Sequence, residues 1–318
     1  MKKYIRMAVM ICFIAINLSW TVLAAQNSNI KVAPEDYIPV LMYHHFVTGE
    51  VEAGNGVIVP IDEFEEHIKT LQKAGYTTIF LSDLYEIMQQ LEKGKKFPEL
   101  HLNQKYVAIT IDDGYKSNYE LVYPLLQKYN MKASISVITS LIGTNHLRDE
   151  VERMSWENLN EMQQSGLVEI YNHTYDHIPV GDRTYAEVCS SVKEGEEMLD
   201  KYLQKRSPVK VLTYPNGNYR EEIALPMQTE MQYDLQITTN IAVVNGKTSL
   251  LEIPRITVDS GWTGEKLLQM IEYRAQQTFQ QKNFFFDLFA AHRLRGTSII
   301  GFIMLSILFI IPKVTNKK

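Results

Sequence analysis

The stretch Val107-Ala-Ile-Thr-Ile-Asp112-Asp113-Gly114-Tyr115 constrains this 318-residue chain more than any other. An uninterrupted apolar run, rich in β-branched residues, reads as a strand covered on both faces. It runs straight into two adjacent carboxylates and a glycine. Side-by-side acids repel each other, and their desolvation costs free energy. A chain tolerates such a pair most readily beside a cation. The fold must therefore bring other ligands and positive charge to this strand end.

The rest of the sequence alternates between strand and helix patterns. A strand over 38–46 ends in Tyr43, His44 and His45. A helix follows over 62–75, with Phe64, Ile68 and Leu71 on one face, Asp62 as N-cap and Gly75 as C-cap. Residues 76–81 form a strand, and Ser82 opens a helix that runs to about residue 93. Beyond the Asp-Asp strand come a helix over 118–129, interrupted or delayed by Pro124, and a strand over 132–138. A helix over 155–166 starts on Ser155 and stops on Gly166. A strand over 167–171 then delivers Asn172-His173-Thr-Tyr-Asp176-His177. After a long helix over 184–203, a strand over 209–213 delivers Tyr214-Pro215-Asn216-Gly217. Short strands are expected at 236–239, 242–244 and 253–258, the last followed by Asp259-Ser-Gly-Trp262, and a helix spans 264–277. This alternation predicts α/β architecture, with parallel strands and chemistry at their C-terminal ends, as in a (β/α) barrel.

Three strand ends supply metal-type ligands: Asp112 with Asp113, His173 with His177 at H-x3-H spacing, and His44 with His45. Two histidines and one carboxylate leave open positions on a Zn²⁺-like ion for water and substrate. The spare carboxylate is suited to take a proton from that water, and a histidine on the far side to return one to a leaving amine. Strand alternation sends His44 and His45 to opposite sides, so one of them is structural. His67, His101, His146 and His292 fall in helical or loop contexts and are expected to be solvated.

Charge and the two ends bound the setting. The formal charge is −5. Residues 1–25 carry Lys2, Lys3 and Arg6 and no acid, so the remainder holds 29 basic against 37 acidic residues, a charge of −8. No long basic run appears in the middle of the chain, which argues against nucleic acid as a partner. Cys12 and Cys189 are the two cysteines, and Cys12 lies in the apolar N-terminal stretch, so the mature domain has no internal disulfide. Residues 1–25 combine a basic start, an apolar run and small residues at Ala24 and Ala25, the pattern of a signal peptide or N-terminal anchor. Residues 296–312 form an uncharged apolar run followed by Lys313, Lys317 and Lys318. That run is near the lower limit of about 17–25 residues for a membrane span. The expected organisation is a signal or anchor (1–25), a lead-in (26–37), one domain (38–278), a juxtamembrane linker (279–295), a transmembrane helix (296–312) and a cytoplasmic tail (313–318). The domain is then expected on the extracytoplasmic face of the membrane.

Thr110-Ile-Asp112-Asp113-Gly114, His173-Thr-Tyr-Asp-His177 and Tyr214-Pro-Asn-Gly217 together resemble the first three motifs of the polysaccharide deacetylase family, the NodB-homology or carbohydrate esterase family 4 fold. The resemblance spans roughly residues 38–262 and implies a distorted (β/α) barrel. Leu41-Met-Tyr-His44 further resembles the branch that deacetylates poly-β-1,6-N-acetylglucosamine. By this resemblance Asp112 is the general base, Asp113, His173 and His177 bind the metal, and His44 is the general acid. Tyr214 contributes its backbone N–H to an oxyanion site that includes Pro215 and Gly217. The cofactor is a divalent ion, with Zn²⁺ favoured and Co²⁺, Ni²⁺ or Fe²⁺ also suited to the ligands. The implied activity is hydrolytic N-deacetylation of a GlcNAc-containing polysaccharide, releasing acetate. Poly-β-1,6-GlcNAc is favoured over β-1,4 chains of the peptidoglycan or chitin type, and a non-catalytic glycan-binding protein of the same fold is the rival reading. The membrane is the second expected partner, through the C-terminal run, and the sequence names no synthase or export partner.

The chain departs from the family pattern twice. The third motif lacks the arginine that orients the base, which makes Arg255 in Ile253-Pro-Arg255 the candidate partner of Asp112. The late Leu-His motif is absent too, which favours His44 as the acid. Asp259 and Trp262 are candidates for a fourth motif, with Trp262 as a groove wall.

Overall fold

A computed structural model describes residues 32–93, 105–143 and 151–280. Ala33–Ala275 make up one compact unit. The expected signal segment, transmembrane run and tail lie outside the described residues, as does residue 281 onward of the linker. No helix among the described residues is long and apolar enough to cross a membrane.

The scaffold is a parallel sheet. Its strands are β1 (Val40–Tyr43), β4 (Tyr76–Ile79), β5 (Lys105–Asp113), β6 (Ala133–Val137), β7 (Val168–Asn172), β8 (Val211–Thr213), β9 (Leu235–Ile237) and β10 (Ile256–Thr257). They lie in the order β10-β1-β5-β6-β7-β8-β9, with β4 against the first half of β5. β2 (His45–Val47) and β3 (Ile58–Pro60) pair separately. A single bridge between Ile237 and Ile253 joins β9 to the segment that becomes β10, so the sheet curls into an incomplete barrel. Every residue of β5 from Val107 to Asp113 is buried, as expected for a strand covered on both faces.

Register sets the site. Asp113 on β5 pairs with Val137 on β6, Val137 with Asn172 on β7, and Asn172 with Leu212 on β8. The C-terminal ends of these strands therefore finish at one level, and the loops carrying His173 and Tyr214 leave from it.

Several local expectations shift. The predicted 38–46 strand breaks at His44, leaving β1 and β2. The first helix is Ile61–Lys73, capped by Pro60, so Asp62 is not its N-cap but lies in the first turn, where its charge suits the helix dipole. Ser82 does not cap the next helix, Leu81–Glu92; its hydroxyl reaches Glu169, while Asp83 accepts the Phe80 N–H. Residues 242–244 make only a bridge, Val244 to Ile38. The helix Glu221–Thr229, with Pro226 inside it, has no counterpart in the sequence reading. The helices Trp156–Gln164 and Tyr185–Tyr202 start where expected, on Ser155 and Thr184, each with a reciprocal capping box. A last helix covers 264–280.

Candidate active site

β5 ends in an unusual backbone. Asp113 has φ 72° and Gly114 φ 74°, so two consecutive residues are left-handed. A non-glycine residue there is uncommon and costs conformational energy. The turn sends the two carboxylates into different surroundings.

Asp112 meets Arg255. Arg255 Nη1 lies 2.9 Å from Oδ1 and Nη2 lies 2.8 Å from Oδ2, a bidentate pair. Both side chains are buried, Arg255 to 1% exposure. The guanidinium is held in turn by the Thr238 carbonyl at 2.9 Å and Thr110 Oγ1 at 3.2 Å. Burial alone would raise the Asp112 pKa, but Arg255, His173 and His44 outweigh it and hold the carboxyl below the usual range. His44 Nε2 stands 3.9 Å from Asp112 Oδ2. Burial pushes the His44 pKa below the ordinary histidine value, against the pull of Asp112 and Asp113.

Asp113 faces two imidazoles. His173 Nε2 and His177 Nε2 each lie 3.4 Å from Asp113 Oδ1. Their rings stand edge to face at 4.7 Å. Burial raises the Asp113 pKa, but the three histidines around it, His173 foremost, carry it well below the usual range.

These three residues fit a metal ion. Their ligand atoms all fall within 4.8 Å of one another. Asp113 Oδ1 is buried and makes no hydrogen bond. His173 Nδ1 lies 2.7 Å from the Thr213 carbonyl, which fixes the proton on that nitrogen in the neutral ring. The Nε2 lone pair then points at another electron-pair donor across a gap longer than an ordinary hydrogen bond. Two imidazole nitrogens and a carboxylate oxygen brought this close are what a cation satisfies when the rings are neutral, and the Nδ1 contact is the usual outer support of a ligating histidine.

The two N-terminal histidines separate as alternation requires. His44 turns toward Asp112, while His45 Nδ1 bonds Ser117 Oγ at 2.9 Å and its ring packs on Tyr115 at 4.8 Å. Asn118 holds the His44 carbonyl at 2.8 Å.

Tyr214 does not serve as expected. Its N–H donates to the Ile237 carbonyl at 3.0 Å in the β8–β9 ladder, its hydroxyl donates to Gln236, and its side chain is buried. A donor already spent in the sheet cannot serve an oxyanion. Pro215 has no N–H, and that of Gly217 is turned back on Tyr214 O at 2.8 Å. Within this turn the Asn216 N–H has no hydrogen-bond partner among the described residues, and the residue's own φ is 56°. Gly217 is required at its position: φ is +64° and a Cβ there would lie 2.0 Å from Thr239 Oγ1. The signal for Asn216 was present in the Asn-Gly pair, which favours left-handed backbone.

Asp259 and Trp262 sit on the turn after β10. No hydrogen bond or ion pair joins either to Asp112 or Asp113 among the described residues. The turn is latched to the 48–57 loop instead, through Gly54 N–H to Ser260 O and Ser260 N–H to Asn55 O, both 2.9 Å. It is also pinned by His67. That histidine is fully buried rather than solvated, with Nε2 2.6 Å from the Trp262 carbonyl and Nδ1 3.2 Å from the Tyr43 hydroxyl. His101, His146 and His292 lie outside the described residues.

Comparison with known proteins shows the family of the chain. The family model "Polysaccharide deacetylase" matches residues 100–235. "Putative polysaccharide deacetylase YxkH" of Bacillus subtilis (strain 168) is 30% identical over 243 residues, covering 76% of this chain and 79% of its own length. The chain belongs to the polysaccharide deacetylase family, a group of hydrolases that act on amide bonds. The poly-beta-1,6-N-acetyl-D-glucosamine N-deacetylase of Staphylococcus aureus (strain MRSA252) is 27% identical, over 62% of this chain and 66% of that enzyme. Among solved structures, the Streptococcus pyogenes deacetylase PplD in complex with acetate superposes with a TM-score of 0.63 at 26% identity. That superposition covers 74% of this chain and 98% of PplD.

Proposed function

We propose that this protein hydrolyses the acetamide of N-acetylglucosamine units in a polysaccharide, with a divalent ion held by Asp113, His173 and His177. The observation that carries the reading is the division of labour at the end of β5, with Asp113 among lone-pair donors and Asp112 clamped by Arg255. When bound, the ion supplies Lewis-acid polarisation of the acetamide carbonyl and of a water molecule. Asp112 accepts the water proton. Both of its oxygens keep a second lone pair beyond the guanidinium bonds, so clamping does not close it to a proton. Arg255 fixes its orientation and keeps it ionised. His44 delivers a proton to the departing amine as the C–N bond breaks, leaving acetate and a free glucosamine amine. The Asn216 N–H, unpaired within the turn after β8, is the backbone donor assigned to the developing oxyanion.

Poly-β-1,6-linked N-acetylglucosamine is the favoured polymer. Its support is the likeness to enzymes named for that substrate and the placement of His44 ahead of the Asp-Asp motif. Zn²⁺ is the favoured ion on the chemistry of the donor set. The apolar stretches at the two ends support a position on the extracytoplasmic face of the membrane, held by the C-terminal run. The test is acetate release from β-1,6 and β-1,4 N-acetylglucosamine oligomers, with and without chelator. Chelator-sensitive release, faster on the β-1,6 oligomer, is expected. Release that is absent from both, or indifferent to chelator, overturns the reading.

A further inference from the structure

The loop that carries both histidines is held from behind by residues outside any of the motifs. Thr174 and His177 are left-handed, with φ 66° and 57°. Two such residues in one short loop persist only where the surroundings over-determine them. Asn172, the last residue of β7, is 0% exposed and is the centre of that support. Its Oδ1 accepts the Thr174 N–H at 2.8 Å. Its Nδ2 faces three acceptors: the Val192 carbonyl at 3.0 Å, Glu196 Oε1 at 3.0 Å and the Tyr233 hydroxyl at 2.9 Å. Tyr233 donates its own proton to Glu196 Oε1 at 2.7 Å, and Arg206 Nη2 holds Glu196 Oε2 at 2.7 Å. One amide orientation alone satisfies this set, because oxygen must meet the N–H and nitrogen the acceptors.

The helix Tyr185–Tyr202 is built to reach Asn172. Gly195 lies in its interior, where glycine is an unfavourable helix former. A Cβ at that position would stand 2.6 Å from Asn172 Oδ1. The same helix ties the loop a second time, through Ser191 Oγ donating to Asp176 at 2.7 Å and the Ser191 carbonyl accepting from Tyr175 at 3.2 Å.

We infer that Asn172, gripped by Glu196 and Tyr233 and approached through Gly195, is the positioning residue that sets His173 and His177 at metal-binding separation. The inference rests on the metal reading above. Without Asn172 the buried Thr174 N–H loses its acceptor, and the left-handed turn that returns His177 toward Asp113 loses its anchor.

The experiment is titration of chelator-stripped protein with Co²⁺, followed by calorimetry and by the visible absorption of the bound ion, alongside urea unfolding of the metal-free protein. Asn172→Ala and Gly195→Ala are expected to weaken Co²⁺ about 10–100-fold and to alter the spectrum, the range typical of outer-shell changes. Glu196→Ala, which removes the acceptor that grips Asn172 Nδ2 and Tyr233, is expected to weaken Co²⁺ by a similar factor. Glu196→Ala carries the same test where Asn172→Ala does not fold. Leu199→Ala, one turn further along the helix and outside the network, lowers stability without moving affinity or spectrum. Unchanged affinity in Asn172→Ala or Glu196→Ala, with wild-type protein binding Co²⁺, overturns the inference alone. A wild-type protein that binds no Co²⁺ overturns the metal reading and the inference with it.

Discussion

Asp112 and Asp113 are consecutive on one strand, yet their surroundings differ in kind. Asp112 is paired through both oxygens with a guanidinium that is itself fully buried. Asp113 has an oxygen with no hydrogen bond and two imidazole nitrogens at equal distance. A strand sends neighbours to opposite faces, and the left-handed turn at Asp113 adds to that divergence. The difference teaches that the pair is not a generic acidic patch. One carboxylate is held as a charge with a fixed orientation, and the other lies among side chains of the kind that hold a cation.

The largest effect that sharpens this contrast is expected on the Asp112 side. His44→Ala should lower kcat about 10²–10⁴-fold, the usual worth of a general acid. His45→Ala should leave the rate close to wild type, because His45 bonds Ser117 and packs on Tyr115. Steady-state acetate release measures both. Equal losses would break the assignment of the two histidines.

Next comes the clamp. Arg255→Met strands a buried carboxylate and should cost about 3–5 kcal/mol in urea unfolding. The double change Arg255→Met with Asp112→Leu should recover much of that stability while abolishing activity. If the single substitution is thermodynamically silent, the ion pair does not hold Asp112 ionised.

The smallest effect lies outside both carboxylates. Burial pushes the His67 pKa below its ordinary value of 6.5, against the pull of the Trp262 carbonyl. Above about pH 6.5 His67 is neutral folded or unfolded and contributes nothing to pH dependence. Below it, the unfolded chain takes the proton and the folded chain does not, so stability falls as pH drops toward the folded pKa. The slope from this residue is at most about 1.4 kcal/mol per pH unit. His67→Gln should flatten the acid side of the stability profile, and an unchanged slope between pH 7.5 and 5 would contradict that account.

Much of the site was legible because its residues lie at strand ends, and the alternation of strand and helix places such ends on one side. The absence of an arginine from the third motif leaves Arg255 as the candidate partner of Asp112, although 143 positions separate the two. What stayed hidden depends on relations that sequence spacing does not carry. Tyr214 stood out as an aromatic beside a Pro-Asn-Gly turn, but the ladder to β9 uses its N–H. Helical context suggested solvent for His67, because nothing in its neighbours reveals that Trp262 and Tyr43 close over it. Asn172 reads as a polar residue before a histidine, and only the packing of the 185–202 helix shows what it holds. The helix at 221–229 has Pro226 in its interior, which masks its periodicity.

The central claim is that neighbouring acids do different work, and paired isosteric substitutions test it most directly. Asp113→Asn and Asp112→Asn should be measured side by side for Zn²⁺ stoichiometry after dialysis and for acetate release. The account predicts that Asp113→Asn loses the ion and the activity together, while Asp112→Asn keeps a full equivalent of the ion and loses the rate. Loss of the ion from Asp112→Asn, or full activity in either variant, would contradict it.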